Sequence, residues 1–309
     1  MNLVLKLIKK FINEPIGLVR FIKRLFTRWN PGILDPGGYK LRTKFLYVPL
    51  FRFLGALTSH QNPKSYNSFF GEHEFLNLWV NNQGFKFKIV DIGAGDGLTM
   101  SNVAESIRIN KLEGILIEAD GLKFAQLAMN YQKIENVTLI KTLVNLENIS
   151  GLLNQIRSEK TPYIISLDID SYDLFLAEKI IKIYPPALLC LEWNPLFHPP
   201  YEFTVNTKFS GGWRGDWFWG ASIESWNKML NKNGYGIIKV LGVSFFAEPR
   251  KPDCVYLTPE EVFSSYLSQK NRLVIPGETN GVINSLENSK YINIMLDQYS
   301  GFYETNFKQ

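Results

Sequence analysis

Residues 90–97 read Val90-Asp91-Ile92-Gly93-Ala94-Gly95-Asp96-Gly97, an apolar run that breaks into alternating glycines and acids. Glycine accepts positive φ and lets main chain approach a ligand, so a strand ending this way offers backbone to a small molecule. Working outward, Phe87 to Ile92 is a short apolar strand, and Glu74 to Asn82 suits a helix bearing Phe75, Leu78 and Trp79. Downstream the pattern alternates. Helices are expected over Thr99–Asn110, Phe124–Gln132, Ile149–Arg157 and Tyr172–Ile183, and strands over Gly114–Glu118, Thr138–Val144, Tyr163–Ile169 and Ala187–Leu191. Nearly continuous apolar strands separated by helices imply a parallel sheet covered on both faces. Ser222 to Asn233 is a further helix stopped by Gly234, and Tyr235–Val240 with Val243–Glu248 forms a hairpin around Leu241-Gly242. The expected fold is α/β: a Rossmann-like, doubly wound, mainly parallel seven-stranded sheet with an antiparallel hairpin at its C-terminal side.

Charge divides the chain unevenly. Residues 1–30 hold Lys6, Lys9, Lys10, Arg20, Lys23, Arg24 and Arg28 against Glu14, a surplus of six, whereas the whole chain carries +5. The remainder is therefore near neutral, unlike the broad basic face of a nucleic-acid enzyme, and nucleic acid is not expected as a partner. Within the basic stretch Leu18, Phe21, Ile22, Leu25 and Trp29 recur at helical spacing. Such a helix either lies on an anionic membrane surface or packs on the main domain with its basic face in water. No run of about 18 uncharged apolar residues and no signal-peptide pattern occurs, so a cytoplasmic protein is expected, peripheral on the inner face of the membrane if residues 1–30 anchor it. Asn-Pro-Gly-Ile-Leu-Asp-Pro-Gly-Gly at 30–38 marks a boundary. The expected organisation is a basic helical segment 1–35, a linker 36–71, a catalytic domain 72–258 and an appendage 259–309, whose Asn-, Ser- and Lys-rich sequence yields no reading.

The 90–97 turn also discriminates between cofactors. A dinucleotide fingerprint G-x-G-x-x-G needs glycine at 98, where this chain has Leu98. Asp91 and Asp96 would repel a pyrophosphate but favour a cationic sulfonium or amino group. S-adenosylmethionine is thus expected in preference to NAD.

On these residues the segment resembles motif I of class I S-adenosylmethionine-dependent methyltransferases. Gly114-Ile115-Leu116-Ile117-Glu118 resembles the second motif, a strand ending in an acid about twenty residues on. The resemblance implies that Glu118 accepts from the ribose hydroxyls, that Gly93, Ala94, Gly95 and Gly97 with Asp91 and Asp96 form the cofactor turn, and that Leu143 and Val144 flank the adenine. Ser166-Leu167-Asp168-Ile169-Asp170-Ser171-Tyr172-Asp173 and Leu191-Glu192-Trp193-Asn194-Pro195 resemble strand ends of an FkbM-like subgroup, spanning about Glu72 to Pro249. That subgroup implies a small-molecule or glycan acceptor. It tends to carry a small residue where this chain has His198.

Asp168, Asp170 and Glu192 belong together because adjacent parallel strands present their C-terminal ends to one crevice. Three readings stay open. With the Asn194 amide oxygen they would hold Mg2+ or Mn2+. Without a metal, Asp170 or His198 would be the general base. As plain structure, Asp170 and Asp173 would cap the next helix. Residues 199–220 hold Tyr201, Phe203, Phe209, Trp213, Trp217, Phe218 and Trp219 among glycines, either a flexible aromatic lid over a sugar or a cluster packed beneath a loop. His60 and His73 carry no positional argument, and Cys190 is expected as a buried apolar residue. An alternative to an enzyme is a non-catalytic membrane-associated protein that keeps the fold.

Overall fold

The computed structural model describes residues 70–306 except 85, 157–162, 210, 271 and 281. The basic segment 1–35, most of the 36–71 linker and His60 lie outside the described residues. Strands β1 (Lys88–Ile92), β2 (Glu113–Glu118), β3 (Val137–Lys141), β4 (Tyr163–Leu167) and β5 (Leu188–Glu192) are parallel neighbours in the order β3-β2-β1-β4-β5. Two further strands, β7 (Tyr235–Leu241) and β8 (Ser244–Pro249), form the expected hairpin, and β8 joins the edge of β5 antiparallel to complete seven strands. The order reverses between β1 and β4, and it is there that open α/β sheets leave a crevice at the carboxyl ends of their strands.

Strand residues alternate between two cores because side chains in a strand point to opposite faces. Val90, Ile92, Ile115, Ile117, Ile165 and Leu167 face one core, and Ile89, Leu116, Ile164, Leu188 and Cys190 face the other. The second face is covered by α1 (Glu72–Asn81), α2 (Ala104–Arg108) and α3 (Gly121–Asn130) through Leu76, Ile107, Phe124 and Leu127. The first is covered by α4 (Ile149–Ile156), α5 (Asp173–Ile183) and α6 (Ile223–Lys232) through Leu153, Leu176, Ile180, Trp226 and Leu230.

Several boundaries differ from expectation, each through a side chain that takes backbone donors away from an element. The helix expected from Thr99 begins only at Ala104. Asp96 accepts Leu98 N and Thr99 N at 2.9 and 2.7 Å, Met100 lies at φ 56°, and Ser101 Oγ accepts Ala104 N at 3.1 Å. Such local bonds compete with helix. Strand β4 stops at Leu167, not Ile169, because Asp173 accepts Ile169 N and Ser171 N, both at 2.8 Å.

Residues beyond 258, silent in sequence, are ordered around α7 (Pro259–Ser268), the short pair β9 (Glu278–Thr279) and β10 (Val282–Ile283), α8 (Ser285–Gln298) and β11 (Tyr303–Thr305). Thr258 and Glu261 close a capping box at the start of α7. Val262, Tyr266, Ile292, Met295, Leu296 and Tyr299 join the same core as β4 and β5, and β11 pairs with β6 (Phe203–Val205). No helix among the described residues is long and apolar enough to cross a membrane.

Candidate functional site

The glycine turn leaves β1 toward β2. Gly93 N and Ala94 N both donate to Ile117 O at 3.0 Å, and Gly97 N closes onto Ala94 O at 2.9 Å. Gly93 sits at φ 89°, where an added Cβ would lie 1.7 Å from the Asp168 carbonyl oxygen at the end of β4. Gly95 sits at φ 59° and faces open space, with no heavy atom within 4 Å of an added Cβ. Gly97 serves packing: a Cβ there would strike Leu127 and Tyr131, whose hydroxyl donates to Gly97 O at 2.8 Å. The same stretch thus contains one glycine required by main chain, one open to a ligand and one required by helix α3.

Glu118, buried at the end of β2, ties the turn to its strand. One carboxylate oxygen accepts Gly95 N at 2.8 Å and the other accepts Asp120 N at 2.6 Å. Asp91 is buried opposite Ser166 in β4, to which it is hydrogen-bonded; burial raises its pKa to about 6, with the Ser166 bond pulling it down and the Glu118 charge pushing it up. Asp96 turns away to cap its own chain through Leu98 N, Thr99 N and Thr99 Oγ1. Beyond β3, Val144 is buried and Leu143 is 58% exposed.

The three acids expected at the ends of β4 and β5 do converge. Asp168, Asp170 and Glu192 each bring a carboxylate oxygen within 4.8 Å of the others, half-buried, and among the described residues no other group of His, Cys, Asp and Glu gathers in this way. Burial and then the Glu192, Asp170, Asp173 and Asp91 charges hold Asp168 well above the usual carboxylate range. Burial and the neighbouring acids raise Glu192 to about 8, Glu72 among them. Asp170, at φ 54°, is also raised by burial, but the Lys123 ammonium pulls it back. Asp173 opens α5 but does not cap it: its two oxygens accept Ile169 N and Ser171 N from the preceding loop, no side chain caps the helix at Tyr172, and burial lifts Asp173 to about 6.

The Asn194 amide oxygen accepts Leu196 N at 3.0 Å and its amide nitrogen donates to Trp217 O at 2.7 Å and Trp219 O at 3.0 Å, so it secures a loop. His198 lies outside the acid group: its Nδ1 is 2.8 Å from Pro199 O, and its ring packs on Tyr201 and Phe263. The aromatic segment is mostly core, with Phe203, Phe209, Phe218 and Trp219 buried and Phe218 stacked on Tyr299 at 3.9 Å; Trp213 alone among its tryptophans is 61% exposed. Sequence reasoning missed Glu72 and Lys123. Glu72 is 1% exposed in α1, accepting Phe70 N at 2.8 Å. Nothing in a helix-start glutamate signals burial, and Lys123 is one of several lysines on amphipathic helices.

No family model and no curated protein matches the sequence. Among solved structures the chain is similar to a SAM-dependent methyltransferase from Aquifex aeolicus, at 14% identity and TM-score 0.38, over 65% of this chain and 98% of that one. It is also similar to the N-terminal domain of EvdMO1, determined in the presence of SAH and D-fucose, at 12% identity and TM-score 0.43, over 65% of this chain and 96% of that one. A third is the CurJ carbon methyltransferase, at 14% identity and TM-score 0.40, where 71% of this chain spans 62% of that one.

Proposed function

We propose that this chain transfers a methyl group from S-adenosylmethionine to a hydroxyl oxygen of a sugar, glycan precursor or related small molecule. The observation that carries the reading is the joint between the ends of β1 and β2, where Gly95 donates to the buried Glu118 carboxylate while its own Cα faces open space. A pyrophosphate at that joint would meet Asp91 and Glu118, whereas a ligand bearing a sulfonium and an amino group is attracted by them. S-adenosylmethionine, when bound, supplies a methyl group on a positively charged sulfur. Gly93 and Gly95 would line its methionine part, Glu118 would accept from the ribose hydroxyls, and Leu143 and Val144 would flank the adenine.

The acids supply what remains, which is orientation and removal of one proton. Asp170, the one acid of the three whose rise a cation opposes, is the proton acceptor in this reading. Asp168 and Glu192, both raised by burial and by the neighbouring acids, contact the acceptor hydroxyls. Three carboxylates also provide the oxygen ligands that Mg2+ or Mn2+ prefer, but proton removal by Asp170 needs no ion, and the reading uses none. The FkbM-like resemblance of 166–173 and 191–195 supports the sugar or glycan acceptor, and the basic surplus of residues 1–30 supports an anionic membrane surface on the cytoplasmic side as a partner. Titration calorimetry with S-adenosylhomocysteine tests the cofactor: binding in the micromolar range, weakened at least tenfold by Glu118→Ala, is expected. Binding of NAD without S-adenosylhomocysteine overturns the reading.

A further inference from the structure

The segment that follows β6 is pinned beside the acids at two points. Phe209 O accepts Ser171 Oγ at 3.2 Å, one residue from Asp170, and Trp217 O and Trp219 O accept Asn194 Nδ2, two residues from Glu192. Between the pins, Trp213 and Arg214 stand exposed.

Arg214 is exposed yet held. Its guanidinium lies 5.0 Å from the Phe209 ring centre and 5.8 Å from that of Tyr299, and its Nη2 is 3.2 Å from where a Cβ on Gly211 would fall. Stacking on two aromatic faces fixes a long side chain that would otherwise sample many rotamers. Among the described residues, no carboxylate lies within 4 Å of Arg214. The obvious candidate, Asp216, accepts Phe218 N at 3.1 Å through one oxygen and the Tyr299 hydroxyl at 2.5 Å through the other. The guanidinium is also hydrogen-bonded to the Tyr299 hydroxyl, and of its five N–H donors those left over have no carboxylate as partner. A guanidinium fork matches the oxygens of a phosphate bidentately.

We propose that Arg214 is an anion subsite that binds a phosphate or pyrophosphate ester carried by the methyl acceptor. The inference rests on the methyl-transfer reading for the word acceptor, and it deepens that reading by naming the acceptor as a phosphorylated or nucleotide-linked sugar. The acids face hydroxyls and the arginine faces the anion, so the two ends of such a molecule are recognised by groups of opposite sign. The exposed Trp213 indole, held by its Nε1 on Asp216 O at 2.7 Å, is the adjacent flat face.

The test uses the full chain, with inorganic pyrophosphate as probe, in calorimetric titrations of wild type, Arg214→Gln and Arg214→Lys. Losing charge-assisted bonds corresponds to about a tenfold or greater loss of pyrophosphate affinity in Arg214→Gln. Arg214→Lys, which keeps the charge and the packed stem but not the fork, falls between. S-adenosylhomocysteine affinity stays at the wild-type value in both variants, and the thermal midpoint falls by only a few degrees as the stacking on Phe209 and Tyr299 is lost. Competition by a hexose 1-phosphate against a nucleoside diphosphate sugar distinguishes the two sources of phosphate, and a neutral methyl glycoside should not compete. Wild-type pyrophosphate affinity in Arg214→Gln, or no pyrophosphate binding by wild type, overturns the subsite. A wild type that binds pyrophosphate through Arg214 but not S-adenosylhomocysteine leaves the subsite standing and overturns the methyl-transfer reading.

Discussion

Replacing Gly93 and Gly95 by alanine separates two reasons for glycine that the sequence presents identically. At Gly93 the new Cβ would stand 1.7 Å from Asp168 O, so the ends of β1 and β4 would have to part by roughly 1.5 Å or more to reach contact distance. Those ends are joined by the bond from Asp168 N to Ile92 O at 3.0 Å. Losing that bond while it stays buried costs about 1–3 kcal/mol, and positive φ in a residue with a Cβ costs about 1–2 kcal/mol more. Gly93→Ala is therefore expected to lose about 2–5 kcal/mol, a drop in thermal midpoint on the order of 10 °C for a domain of this size. Gly95→Ala meets no atom within 4 Å and carries only the positive-φ strain, about 1 kcal/mol, or roughly 2–4 °C. Its added methyl instead enters the space assigned to cofactor, so S-adenosylhomocysteine affinity should fall at least tenfold in a protein that still folds. Thermal unfolding and calorimetry on the same preparations read both quantities. Equal stability of the two variants would refute the packing of the turn against β4, and unchanged affinity in Gly95→Ala would refute a ligand at that turn.

Burial raises Asp91 from 3.8 to about 6, so the folded state holds its proton more tightly than the unfolded chain. Its contribution to stability is full below about pH 4 and is lost as pH rises through 6, the loss by neutral pH amounting to about 3 kcal/mol. Asp91→Asn should flatten that slope between pH 4.5 and 7.5 in denaturant titrations; an unchanged slope would show that Asp91 is not its source. Asp170→Asn should slow methyl transfer and change its pH profile while chelator leaves the wild-type rate unaltered, and a rate lost to chelator and restored by Mg2+ or Mn2+ would reinstate the metal. Removing residues 1–30 should reduce sedimentation with anionic vesicles without altering S-adenosylhomocysteine affinity; loss of thermal stability in the truncated protein would instead identify a packed structural helix.

The strands were legible because a parallel sheet buried on both faces forces long apolar runs, as in Ile115-Leu116-Ile117 and Tyr163-Ile164-Ile165. The acid group was legible for a topological reason: consecutive strand ends must share a crevice, so Asp168 and Glu192 meet although 24 positions separate them. What was not legible depends on which way a short polar side chain turns. Asp96 caps its own loop and shortens α2, and Asn194 bonds three backbone groups of the loop beside it. The aromatic segment misled in part because exposure and burial draw on the same residue types: Phe209 and Phe218 pack on Tyr299, a residue ninety and eighty-one positions away in a tail without evident pattern.

The segment pinned beside the acids and the end of the chain are one mechanical piece. Strand β11 pairs with β6, Asn306 Oδ1 accepts Glu202 N at 2.7 Å, and Tyr299 holds Asp216 inside the segment that carries Trp213 and Arg214. An exchange of that segment for one with other specificity will therefore fail when residues 203–220 are transplanted alone, because the incoming loop would arrive without the helix that shapes it. The unit that can be exchanged is discontinuous, residues 203–220 together with 285–306, and insertions tolerated elsewhere on the surface will be felt between Tyr299 and Asn306 as a change in what the crevice admits.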